Sequence, residues 1–247
     1  MLNQETLNKL HELRLSEMAE DIRHQLVEPE FKELSFEERI GYLIDLEWTR
    51  RKNKKLKSLI TKAKFCDPNA SLESIEYLPE RKVDRSLITK LSTGIYLEES
   101  RNVIIVGATG SGKSFLACAL GNSACRKEKK VLYTRLPDLL SELADARIQG
   151  EVKKVFNLYK QVDLLILDEW LFMDVTPSGA RDLLEITEAR YDKKSTIFCS
   201  QSLPGGWHKK LGDNTLAEAI LDRIVHNSYK IIIEAKNSMR QRRRVEE

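Results

Sequence analysis

The sequence has no apolar run near the roughly 20 residues needed to span a bilayer, so a chain soluble throughout is expected. Its four cysteines, Cys66, Cys118, Cys125 and Cys199, fall in no CxxC or Cys/His pattern, and His11, His24, His208 and His226 show no ligand spacing either. Neither a zinc site nor a disulfide framework is expected. No charged-then-apolar leader precedes a small-residue cleavage site, so the expected setting is the reducing cytosol. No long stretch has the composition of a disordered segment. A charge surplus is also missing: 41 Lys plus Arg face 38 Asp plus Glu, and the net +3 says little until the charges are located. What is present, 247 residues at 41% hydrophobic, suffices for one substantial core and a smaller companion domain.

The N-terminal third is written in helical period. Leu7, Leu10, Leu15, Met18, Ile22 and Leu26 recur at mostly three- and four-residue steps and predict an amphipathic helix over residues 7–26. Ser35 followed by Glu38 is a capping-box pattern that opens a second helix. Its apolar stripe runs through Ile40, Leu43, Ile44, Trp48, Leu56, Leu59, Ile60 and Ala63 until Cys66-Asp67-Pro68-Asn69 ends it. Residues 1–68 therefore read as an all-helical domain and 69–98 as a connector. From 99 to 247 short β-branched runs alternate with helical stretches, the grammar of an α/β domain. Val103–Val106, Val131–Thr134, Leu164–Leu167, Thr196–Cys199 and Lys230–Ile233 are the expected strands of a five-stranded, buried, parallel sheet.

The most specific motif is Gly107-Ala108-Thr109-Gly110-Ser111-Gly112-Lys113-Ser114, a full P-loop match between an apolar strand and a helix. Its glycines permit backbone conformations that turn successive amides inward, and with the helix N-terminus these cradle phosphates. Lys113 is expected to reach the β- and γ-phosphates of ATP, and the Ser114 hydroxyl to bind Mg2+. Gly107, Thr109, Gly110, Ser111 and Gly112 complete the expected cradle. Further on, Leu164–Leu167 runs into Asp168-Glu169, two carboxylates at the end of a strand, where open α/β sheets bind ligands. Asp168 is expected to hold Mg2+ through water, and Glu169 to polarise the attacking water, which favours a hydrolase over a kinase.

Positive charge is concentrated between Arg50 and Lys64, where Arg50, Arg51, Lys54, Lys55 and Lys57 stand among eight cations without one acidic residue. On an exposed helix face these would meet the phosphate backbone of duplex DNA with little sequence selectivity. A solvated helix face is the alternative. Cys118 and Cys125, seven residues apart after the P-loop, read as packing residues.

Together with the P-loop and Asp168-Glu169, several stretches carry a family resemblance: Leu34-Ser35-Phe36-Glu37-Glu38-Arg39, Glu47-Trp48-Thr49-Arg50-Arg51, Ser195 to Gln201, and Ala219-Ile220-Leu221-Asp222-Arg223-Ile224. Over nearly its whole length the chain resembles the IstB-type helper ATPases of bacterial insertion sequences, relatives of the DnaC helicase loaders in the AAA+ superfamily. The resemblance implies a P-loop AAA+ ATPase core that forms a homo-oligomer on duplex DNA with ATP and passes the target site to a cognate transposase. It also implies a sensor residue at Gln201, where the family usually has asparagine, with Ser200 as the alternative. Arg223 matches the arginine finger that one subunit offers to its neighbour's nucleotide. The polar tail after Ile233 is too short for the usual helical lid, which is expected to be reduced or absent; Arg240 could replace a lid arginine, and Arg242, Arg243 and Arg244 could touch DNA or be solvated. A DnaC-type helicase loader and a stand-alone P-loop phosphotransferase are the alternative functions.

Overall fold

The computed structural model describes residues 4–234, and the expectations for the lid and for Arg240 to Arg244 lie outside the described residues. The chain divides into two compact units, Met1–Ser58 and Leu59–Glu247.

In the first unit, α1 (Gln4–Glu12) and α2 (Ser16–Val27) replace the single helix expected over 7–26. The break lies at Arg14, which adopts a left-handed φ of 59°. There the Leu15 amide donates to the Leu10 carbonyl at 2.8 Å and the Arg14 amide to His11 at 2.9 Å, a Schellman closure built without glycine. Apolar spacing passes through such a stop unchanged, so periodicity alone could not see it. The capping box before α3 (Phe36–Ala63) is present in both directions: the Ser35 amide donates to Glu38 at 2.8 Å and the Glu38 amide to the Ser35 hydroxyl at 3.3 Å. These bonds hold the exposed Glu38 carboxyl below its ordinary pKa, the backbone bond from Ser35 being the larger cause.

The α3 stripe is only partly buried. Leu43 is enclosed, but Ile44 and Trp48 are 52% and 61% exposed, and the buried position between them is Glu47. Arg51 Nε donates to Glu47 at 2.6 Å, and Arg50 bonds both Glu47 at 3.4 Å and Glu17 at 3.0 Å. A carboxylate inside a small helical unit is tolerated because two guanidiniums neutralise it.

The second unit begins within the last turns of α3. Residues 69–98 carry α4 (Arg85–Ser92), capped by Asp84 through the amides of Ser86 and Leu87, and the short α5 (Ile95–Glu98). The stretch after α3 is fastened to this unit: Asn122 donates to the carbonyls of Pro68 at 3.1 Å and Ala70 at 2.7 Å. Phe65 packs where any side chain on Gly121 would stand.

All five expected strands form: β1 (Asn102–Gly107), β2 (Val131–Arg135), β3 (Leu164–Asp168), β4 (Ser195–Ser200) and β5 (Ser228–Ile233). They build one parallel sheet in the order β2-β3-β4-β1-β5. Four strands are largely buried, as the continuous apolar runs require. β5 departs from the expectation: as an edge strand it alternates, with Ile231 and Ile233 inward and Lys230 and Ile232 exposed. The connecting helices are α6 (Lys113–Arg126), α7 (Leu136–Ile148), α8 (Val152–Gln161), α9 (Pro177–Arg190), α10 (Trp207–Lys210) and α11 (Thr215–Val225).

Behind β3 and β4, Trp170 and Trp207 are wholly buried and meet edge to face, with ring centroids 5.9 Å apart. Near the N-terminal ends of the strands, the buried Arg190 donates to the carbonyls of Tyr159, Val162 and Ser195 and to the Thr196 hydroxyl. Burial lowers its pKa to about 9, and no carboxylate accepts from it in these bonds. It closes the C-terminus of α8 against the start of β4, a role no local pattern announces.

Candidate nucleotide-binding site

β1 delivers the chain to Gly107 at the carboxyl edge of the sheet. A side chain there would stand 2.6 Å from Ser111 Oγ and 2.7 Å from the Ile233 carbonyl, so the turn closes only around glycine. Gly110 and Gly112 take φ of 77° and 92°. The chain then enters α6 with Lys113 in its first turn.

Four of the loop's carbonyls are engaged. Lys113 Nζ donates to Gly107 O and Ala108 O, each at 2.8 Å; the Leu116 amide donates to Gly112 O, and Arg81 Nη2 to Ser111 O at 2.9 Å. A loop whose carbonyls are held by donors presents its amides to a ligand. Ser111 Oγ is buried and, among the described residues, has no hydrogen-bond partner.

Asp168 ends β3 next to this loop and is 5% exposed. Its Oδ2 accepts from the Tyr133 hydroxyl and its Oδ1 from the Glu169 amide, both at 2.8 Å. Burial raises the Tyr133 pKa, which keeps that hydroxyl a donor. Glu169 has a positive φ of 53°, a costly conformation for a residue with a side chain, and one that re-aims the chain directly after the sheet. Its carboxylate lies 3.7 Å from Arg135, which also forms a two-bond pair with Asp138.

Lys113, Ser114, Asp168 and Glu169, with Gly110 and Gly112, line one cavity of about 500 Å3. Among the further lining residues that the sequence did not place here, Arg81, Tyr133, Arg135 and Cys66 carry polar or reactive side chains. The β2–β3 register sets Arg135 opposite Asp168, so strand order would have exposed Tyr133 and Arg135, whereas Arg81 sits in what reads as a connector. The Cys66 sulfur is 3.5 Å from that of Cys118, whose hydrogen bond lowers the Cys66 pKa to about 7 and raises its own.

The other expected residues lie elsewhere. Thr109 is exposed at the loop tip, and Gly107 and the buried Ser111 sit behind the cavity wall. Gln201 is exposed beyond β4, while the Ser200 hydroxyl is buried, donating to Trp170 O and accepting from Trp207 Nε1. Arg223 is on α11, bonded to Ala219 O at 2.9 Å and 3.5 Å from Glu188. Its own carbonyl accepts from Asn102, the first residue of β1, which places it toward the opposite end of the sheet from Lys113. In the first unit Lys54, Lys55 and Lys57 are exposed, whereas Arg50 and Arg51 carry the ion pairs to Glu17 and Glu47.

Residues 8–247 match the family model described as IstB-like ATP binding protein. An insertion sequence ATP-binding protein of Sinorhizobium fredii is 40% identical over 244 residues, covering 99% of each chain. Among solved structures, AMPPCP-bound DnaA from Aquifex aeolicus superposes with a TM-score of 0.59 at 24% identity, over 71% of this chain and 53% of that one. A DnaC helicase loader superposes with a TM-score of 0.54 at 20% identity, over 67% of this chain and 97% of that one. These two likenesses show the fold, that of a P-loop AAA+ core.

Proposed function

The chain is a member of the IstB-like ATP binding protein family, and from that premise we propose that it hydrolyses ATP, assembles with copies of itself on duplex DNA, and assists a transposase in selecting a target site. The observation that carries hydrolysis is the meeting of Lys113, Ser114, Asp168 and Glu169 around one cavity. The insertion-sequence relative supports the transposition setting, and with it the cytosol.

Each residue then has a task. The amides of the loop from Gly107 to Ser114 bind the phosphates, and Lys113 turns from the loop carbonyls to the β- and γ-oxygens. A hydroxyl and a buried carboxylate facing one cavity are the hard oxygen donors that suit Mg2+, so Ser114 and Asp168 would hold the ion. When bound, it offsets charge on the phosphates. Tyr133 and the Glu169 amide fix the Asp168 oxygens. Glu169 orients the attacking water and accepts its proton at a carboxylate oxygen. Ser200 is committed to the tryptophan pair, which leaves Gln201 as the sensor. Arg223, remote from its own cavity, serves a neighbouring subunit. Lys54, Lys55 and Lys57 face the DNA backbone, with Arg50 and Arg51 steadying the helix that carries them.

Turnover measured with and without duplex DNA, alongside electron microscopy of the Glu169→Gln protein with ATP, tests the proposal. DNA-stimulated hydrolysis and ATP-dependent assemblies on duplex are expected. No hydrolysis under either condition would sink the enzyme reading, and stable capture of a replicative helicase in place of a transposase would move the chain to the loaders.

A further inference from the structure

The segment just before α4 holds an arginine that none of the motifs contains. Arg81 closes a short turn, Pro79–Arg81, and is only 6% exposed although it lines the nucleotide cavity. Its guanidinium is forked: Nη1 donates to Glu76 O and Nη2 to Ser111 O, each at 2.9 Å. A side chain on Gly112 would stand 2.8 Å from Nη2, so the absence of one there makes room for this contact as well as for the loop's φ. The Arg81 backbone is pinned too. Its carbonyl accepts from the Glu234 amide at 3.1 Å, and the next residue, Lys82, pairs with the Glu234 carboxylate at 2.6 Å.

In a planar trans peptide the carbonyl and the amide point in opposite directions. A donor that fixes Ser111 O on one side therefore fixes the Gly112 N–H on the other. Gly112 is the position where rotation of that peptide is least opposed, because glycine enters both the left- and right-handed regions. Left alone, the peptide could present its carbonyl to the phosphate and repel it.

We propose that Arg81 is a positioning residue of the ATP site: by gripping the Ser111 carbonyl it holds the Ser111–Gly112 peptide with its amide toward the phosphates. The inference rests on the cavity being the ATP site. It differs from a simple attraction between a cation and phosphate, because it needs the fork. A lysine keeps the charge but donates from a single nitrogen, whereas the guanidinium plane holds Nη1 and Nη2 at a fixed separation, each against its own carbonyl.

Titration of the full-length protein with a fluorescent ATP analogue, for wild type, Arg81→Met and Arg81→Lys, separates the two. Both variants are expected to lose about tenfold or more in affinity, the worth of a hydrogen bond to a charged group. The KM for ATP should rise while kcat stays within about twofold, since Asp168 and Glu169 are untouched. Amide exchange across Gly110–Ser114 should quicken in Arg81→Lys, a readout that does not depend on ATP and that survives if Arg81→Met fails to fold. Wild-type affinity in Arg81→Lys, or unchanged exchange at the loop, overturns the proposal. Lys113→Ala serves as the reference: a wild type that binds the analogue no better than this variant condemns the ATP site itself, whereas a competent wild type with unaffected Arg81 variants condemns this inference alone.

Discussion

The two ends of the parallel sheet both bury a cation, and they use it differently. At the N-terminal ends of the strands Arg190 donates to four carbonyls and a hydroxyl at the end of α8 and the start of β4, joining elements that are distant in sequence. At the C-terminal ends Lys113 donates to carbonyls of its own loop, on the edge of a cavity of about 500 Å3. The first cation is a fastener whose bonds belong to the folded state. The second holds bonds that a ligand can replace, because its partners are local and the space beside them is open. Burial of a charge therefore identifies neither structure nor function until its partners are named.

Arg223 breaks this comparison most sharply, since it sits toward the fastener end yet is assigned to chemistry. Arg223→Ala should keep ATP binding and lose turnover by roughly 10³- to 10⁵-fold, the effect of removing a finger. Neither it nor Glu169→Gln should be active alone, but a mixture of the two should recover part of the activity, because an intact cavity then faces an intact arginine. No recovery despite co-assembly would return Arg223 to the structural group. Arg190→Met sharpens the comparison from the other side. Orphaning several carbonyls should cost on the order of 3 kcal/mol in a denaturant melt, with ATP affinity unchanged in the folded fraction. An unaltered melt would show that the carbonyls find other donors. The smallest effect extends the contrast to α3. Replacing Lys54, Lys55 and Lys57 with glutamine should weaken binding to every duplex sequence alike and flatten the salt dependence by about 0.9 per lost phosphate contact. Unchanged salt dependence would make that face merely solvated.

Most of the sheet was legible because buried parallel strands must be continuous apolar runs, and all five were found within two residues of their ends. The P-loop and Asp168-Glu169 were legible because their chemistry requires neighbours in sequence. Arg81 was not: it reaches Ser111 across 30 positions, and nothing in Pro79-Glu80-Arg81 records its destination. The break at Arg14 was hidden because a left-handed stop without glycine has no compositional mark. The α3 stripe misled at Ile44 and Trp48 because spacing reports which residues share a face, not whether anything covers it. The choice of Gln201 over Ser200 as the proposed sensor rests on Trp207, whose indole bonds the serine hydroxyl and which no local pattern around β4 announces.

The tryptophan pair has a practical consequence. The chain carries three tryptophans: Trp48 is 61% exposed on α3, whereas Trp170, the residue after Glu169, and Trp207 are wholly shielded. Indole emission from the first is expected to be red-shifted and open to iodide, and that from the other two blue-shifted and protected. One unlabelled sample thus offers two optical channels, with quenching at the red edge reporting events on the helical unit and intensity at the blue edge reporting strain passed from the acidic turn.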